Sequence, residues 1–184
     1  MQQFEVALAA LLPGKTIADA TPLVARMRPI KDDYEIAALR RAAAISAASF
    51  RDVLHALKPG MNDLEVAGLM EYAWKRSGSP RAAFTPIVSS GPAAVSLFTL
   101  KAETYNATDR AMQEGELVFI DYGAAEYRMY TSDVCRTYPV SGKFTEGQRR
   151  YYEIVLEAQD SAIQAVRPGA TMLRAIRAAT ASGA

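Results

Sequence analysis

Glu116-Leu117-Val118-Phe119-Ile120-Asp121-Tyr122-Gly123 is the stretch that decides the fold. Its four apolar residues, Leu117 to Ile120, are too few for a helix of ordinary length and suit a strand covered on both faces. The run ends on an acid, Asp121, where the strand meets Tyr122-Gly123. Downstream, Tyr127 to Tyr138 is rich in aromatic and β-branched residues and predicts a second strand, paired with the first as a hairpin across Gly123–Glu126. That strand carries another acid, Asp133. Upstream, Phe84–Ser89 predicts a third strand before a turn at Ser90-Gly91-Pro92.

Helices flank these strands. Asp32 with Glu35, Asn62 with Glu65, and Thr145 with Gln148 each form the S/T/D/N-x-x-E/Q pattern of a capped helix start. The first helix predicts a buried face of Ile36, Leu39, Ala43, Ala47, Phe50, Leu54 and Leu57. The second predicts Leu64, Ala67, Met70 and Trp74. The third carries Tyr152, Val155, Gln159, Ala162, Ile163 and Val166, and a fourth follows Thr171. Pro59-Gly60 and Pro168-Gly169 end the first and third helices. Helices gathered around a mainly antiparallel sheet make an α+β domain.

The two Pro-Gly junctions are alike over a wider stretch. Leu57-Lys58-Pro59-Gly60-Met61-Asn62-Asp63-Leu64 resembles Val166-Arg167-Pro168-Gly169-Ala170-Thr171-Met172-Leu173, 109 residues on (168 minus 59). This predicts a duplicated unit of two helices and a sheet, the second copy opening at Thr145. Residues 1–28, with a short helix at Phe4–Leu12 and a loop holding Pro22 and Pro29, are expected to be a linker or remnant of a preceding domain. Residues 29–184 are expected to be the truncated main domain.

Composition removes several functions. Twenty-one Lys and Arg against 20 Asp and Glu give a net charge of +1, so no electrostatic footprint for nucleic acid exists. One cysteine excludes an internal disulfide. No apolar run reaches the roughly 18 residues of a membrane span, and the opening residues lack the basic start of a signal peptide. The expectation is a cytoplasmic protein.

Asp121 and Asp133 are the residues that point to chemistry. A hairpin brings both carboxylates to neighbouring strands, where their repulsion demands a proton, a cationic side chain or a metal. Arg136 or Arg128 supplies the second solution. Hard divalent cations supply the third, and paired carboxylates bridge two of them. Cys135 is expected as a small buried side chain, Trp74 as core, and His55 as a surface or packing residue of the first helix.

The quoted stretch, followed by Tyr130-Thr131-Ser132-Asp133-Val134-Cys135-Arg136-Thr137-Tyr138-Pro139-Val140-Ser141-Gly142-Lys143-Phe144-Thr145, resembles the metal-binding core of the Xaa-Pro aminopeptidase and prolidase family. Lys31-Asp32-Asp33-Tyr34-Glu35-Ile36, Ile87-Val88-Ser89-Ser90-Gly91-Pro92 and Asp109-Arg110-Ala111-Met112 resemble further segments of that family in the same order. The resemblance implies the pita-bread (aminopeptidase P/creatinase-like) fold, present here as its first half plus the opening helices of the second. It implies Asp121 and Asp133 as ligands of two divalent metal ions, Mn first and Co or Zn as alternatives. It also implies a metal-activated water that hydrolyses the N-terminal bond of a peptide with proline in second position.

The sequence departs from the family at three places. The His and two Glu that complete the family site have no counterpart after Arg174. Thr104 stands where the family has a catalytic His, after what reads as an insertion at Phe98–Glu103. The gap between the two acids is one residue longer, at Ala124-Ala125. The chain as given is therefore expected to be inactive. The alternatives are a non-catalytic binding protein of the same fold, or a prolidase- or creatinase-type relative. Uncovered apolar faces at Val155, Ile163 and Val166 predict a homo-oligomer or aggregation.

Overall fold

In the computed structural model the described residues are 2–16, 18–95, 108–123 and 126–182. They form six α-helices and three strands: α1 (Gln2–Leu11), α2 (Thr21–Met27), α3 (Asp33–Ala56), α4 (Asp63–Arg76), β1 (Ile87–Ser90), β2 (Leu117–Tyr122), β3 (Val134–Pro139), α5 (Glu146–Ala165) and α6 (Met172–Ser182). The chain divides into two compact units, residues 1–38 and 39–184.

The first unit holds α1, α2 and the start of α3. The region expected as a loop around Pro22 is helical instead. Pro22 falls in the first turn of α2, where its missing N–H leaves no bond unmade. Asp32 opens α3 with the reciprocal pair read from sequence: Glu35 N donates to Asp32 Oδ1, and Asp32 N to Glu35 Oε2, both at 2.8 Å.

The second unit is built on a three-stranded antiparallel sheet in the order β1-β2-β3. Along β2, Val118, Ile120 and Tyr122 are buried, while Leu117, Phe119 and Asp121 on the other face are half-buried. The buried face meets Ile45, Phe50 and Val53 of α3 and Val66, Met70 and Trp74 of α4 in one apolar cluster. Tyr122 anchors it, its ring 4.6 Å from Trp74 and 5.9 Å edge-on from Phe50. Large fully buried side chains of this kind contribute about 1.5–3 kcal/mol each.

Five local expectations change. The buried face of α3 is Ala42, Ile45, Ser46, Ser49, Phe50 and Val53, not the stripe through Ala43, Ala47 and Leu54, which is exposed. Ser46 and Ser49 are buried there with their hydroxyls bonded to Ser132 Oγ and Ile45 O, so the stripe turned inward need not be wholly apolar. Leu64 is 53% exposed, and Val66 takes its place in the core. The first strand starts at Ile87 rather than Phe84, and Gly91–Val95 is a short 3-10 helix where a turn was expected. The last strand starts at Val134, because Tyr127 to Tyr130 closes a turn of its own: Tyr127 N donates to Tyr130 O at 2.7 Å and Tyr130 N to Tyr127 O at 3.0 Å. Its two central residues, Arg128 and Met129, hold φ of 52° and 70°, the hairpin geometry that glycine and asparagine usually supply.

α4 and α5 begin with the capping boxes expected at Asn62/Glu65 and Thr145/Gln148. The repeat is visible in the backbone. Met61 N donates to Lys58 O, and Ala170 N to Arg167 O, at equivalent places. Gly60 and Gly169 adopt left-handed φ of 90° and 80° there. α5 and α6 pack on one another, yet neither contains a buried residue. Tyr151, Val155, Ile163, Val166 and Ile176 are each more than half exposed. The helix pair thus presents the apolar face that α3 and α4 spend on their sheet.

Candidate metal centre

Asp121 is the fifth residue of β2 and sits inside the ladder. Its partners are Ile87 on β1 and Cys135 on β3. Directly opposed residues share a face, so Asp121 and Cys135 project to the same side. Asp133 stands one residue ahead of β3 and outside the ladder, and its charge reaches both Asp121 and Cys135. The β2–β3 ladder runs without a break from Leu117↔Pro139 to Tyr122↔Val134. Ala124 and Ala125 themselves lie outside the described residues.

The two carboxylates act on one another. Asp121 is held above the usual carboxylate range, first by partial burial and then by the negative charge of Asp133; a backbone hydrogen bond from Tyr122 opposes the shift. Among the described residues no ion pair joins either acid to Arg136, whose guanidinium donates to Cys135 O at 2.7 Å instead. Cys135 is exposed, contrary to expectation: it lies on the edge strand β3 and opens onto the cleft between that strand and α5. Desolvation and the charge of Asp121 push its thiol up to about 11.

The end of β2 is fixed from outside the sheet. Ala83 N and Phe84 N both donate to Gly123 O, at 2.6 and 3.3 Å. The Phe84 ring fills the space any Cβ at Gly123 would need. A cleft of about 810 Å³ separates β2 and β3 from α5, lined by Leu117, Cys135, Thr137, Tyr152, Val155 and Ile163 among others, and Asp121 is not part of its lining.

Two hard oxygen donors with no described cation between them suit a divalent ion. They are not a full set: among the described residues no cluster of three or more His, Cys, Asp or Glu is placed to hold a metal. His55 is exposed in the last turn of α3 and belongs to no such cluster. Thr104 lies outside the described residues. What sequence reasoning missed is Glu126, a buried carboxylate ion-paired with Arg81. The partners are 45 residues apart, so no local spacing announces them.

Residues 37–182 match the profile of metallopeptidase family M24. The chain belongs to that family. It is 37% identical over 158 residues to the Xaa-Pro aminopeptidase of Escherichia coli, covering 86% of this chain and 34% of that protein. The human Xaa-Pro dipeptidase is 34% identical over 149 residues, covering 80% and 30%. Among solved structures, the X-Pro aminopeptidase from Thermotoga maritima superposes with a TM-score of 0.86 at 26% identity, covering 99% of this chain and 49% of that one. An Escherichia coli aminopeptidase P in complex with substrate gives 0.80 at 33% identity, covering 89% and 36%. The fold is the pita-bread fold of these peptidases. The chain spans about a third of the length of the curated relatives it matches.

Proposed function

We propose that Asp121 and Asp133 are the two carboxylate ligands of a divalent-metal centre in a proline-specific M24 peptidase. The substrate proposed is a peptide with a free α-amine and proline at its second position. Support comes from the charge of Asp133 acting on Asp121, within a chain whose relatives are named Xaa-Pro aminopeptidase and Xaa-Pro dipeptidase.

Each acid has a distinct task. Asp121 is placed by two neighbouring strands and offers a rigid donor. Asp133 leads into β3 and offers a donor from the solvent side. Their mutual repulsion raises the free energy of the empty pair, and a bound cation relieves it. When present, divalent ions of this kind lower the pKa of a bound water and polarise the scissile carbonyl. Manganese is the first candidate, with cobalt or zinc as alternatives.

Two carboxylates alone are short of the three or four protein donors that catalytic metal sites carry. The chain as given is therefore proposed to bind metal weakly and to turn over Xaa-Pro peptides poorly or not at all. Assay of the chain with Mn(II) and such a peptide tests this. Turnover at ordinary enzyme rates, roughly 1–10³ s⁻¹, overturns the proposed inactivity. No helix of the described residues is long and apolar enough to cross a membrane, and a cytoplasmic location remains part of the proposal.

A further inference from the structure

Asp121 is fixed by strand pairing on both sides, but Asp133 lies ahead of the β3 ladder, at the end of the connection that begins at Gly123. A connection of that length does not set the position of its last residue by turn geometry alone. Something outside the hairpin has to hold it.

Arg81 does so at several points. Its Nε donates to Glu126 Oε2 in a close ion pair, and its terminal amine donates to Met129 Sδ at 3.3 Å. Its carbonyl accepts from Glu126 N at 3.3 Å and from Ser79 Oγ at 3.0 Å. The other Glu126 oxygen accepts from Met129 N at 3.3 Å. One side chain thus ties Glu126, just before the Tyr127–Tyr130 turn, to Met129 within it, where Arg128 and Met129 hold left-handed φ. Glu126 is 8% exposed, whereas the Arg81 side chain is 62% exposed. The carboxylate is therefore committed to this site, and the arginine reaches in from solvent to satisfy it. A second tie follows at the far end: Ser132, beside Asp133, shares a 2.5 Å hydrogen bond with the buried Ser46 of α3.

We infer that the Arg81–Glu126 pair is a positioning device for the metal centre, holding the β2–β3 connection so that Asp133 stands beside Asp121 before any cation arrives. Arg81 and Glu126 are positioning residues and touch neither ion nor substrate. The inference rests on the reading of Asp121 and Asp133 as metal ligands.

Mn(II) titration calorimetry on the whole chain tests it, with amide hydrogen exchange on the metal-free protein. Arg81→Met is expected to weaken Mn(II) binding roughly ten- to hundred-fold, the range seen when the support of a metal ligand is removed. Arg81→Lys, which keeps a cation beside Glu126, is expected to recover most of it. In Arg81→Met the amides of Met129 and Tyr130 exchange faster, while those of Val118 and Ile120 keep their protection. If Arg81→Met does not fold, Arg81→Gln carries the same comparison. Binding in the arginine variants equal to wild type, and still dependent on Asp121, overturns the inference and leaves the metal reading standing. Absence of Mn(II) binding in wild type overturns the metal reading and this inference with it.

Discussion

Asp121 is paired across the β2–β3 ladder with Cys135, and the negative charge of Asp133 reaches both side chains. Two acids and a thiol close enough to act on one another make a locally electronegative surface. The chemistry proposed for the chain, and most of its measurable behaviour, starts from that placement.

The thiol reports the placement directly. With Cys135 pushed up to about 11 by desolvation and by Asp121, little thiolate exists near neutral pH although the side chain is exposed. Alkylation by iodoacetamide should be slow at pH 7.5 and accelerate through the alkaline range. Asp121→Asn should lower the thiol pKa and speed alkylation at pH 8.5. A rate unchanged by that substitution would separate the two residues.

The same carboxylate gives stability a sign against pH. Asp121 is raised in the folded state, so the folded chain holds its proton more tightly than the unfolded chain does. Below the unfolded pKa, about 3.9, both states are neutral at this residue. As pH climbs through the folded pKa, the folded state bears the repulsion and stability falls. Asp121→Asn should therefore stabilise the metal-free chain at pH 7 and lose that advantage in acid. The gain should stay under about 1 kcal/mol, since solvent screens a half-exposed pair. Urea unfolding at pH 7 and pH 3.5 measures it, and equal effects at both values contradict the account.

Gly123 has steric reasons to be glycine. Phe84 occupies the place of its missing side chain, and Gly123 O takes two backbone bonds from Ala83 and Phe84. Gly123→Ala should cost about 1–3 kcal/mol by overpacking and displace the end of β2 that carries Asp121. Unfolding in urea supplies the first value. Pairing Gly123→Ala with Phe84→Ala should recover part of the loss.

The uncovered face of α5 and α6 supports self-association. Val155, Ile163 and Val166 are 67%, 63% and 71% exposed, and clustered exposed apolar side chains favour association. Light scattering should find a dimer or larger species at micromolar concentration, and Val155→Glu with Ile163→Glu should shift it toward monomer. A stable dilute monomer of the unmodified chain goes against this.

What the sequence discloses here is local. Asn62/Glu65 and Thr145/Gln148 were legible because a cap and its partner stand three residues apart. Leu117 to Ile120 was legible because an unbroken apolar run of that length suits few other states. The buried face of α3 was not: its apolar residues fit two overlapping stripes, and Ser46 and Ser49 show which one meets the sheet only once the sheet is in place. The turn at Tyr127–Tyr130 was hidden too, since Arg128 and Met129 are not residues that announce left-handed backbone. The antiparallel pairing of β2 with β3 was legible, but not as a hairpin across Gly123–Glu126, since Tyr122 pairs with Val134; Arg81 and Glu126 meet only through tertiary structure.

Calorimetric titration of Mn(II) into wild type, Asp121→Ala and Asp133→Ala decides whether the paired acids are ligands. Wild type is expected to bind Mn(II) saturably, and each variant to lose roughly ten-fold or more in affinity. Binding of equal strength in all three proteins would contradict the ligand assignment.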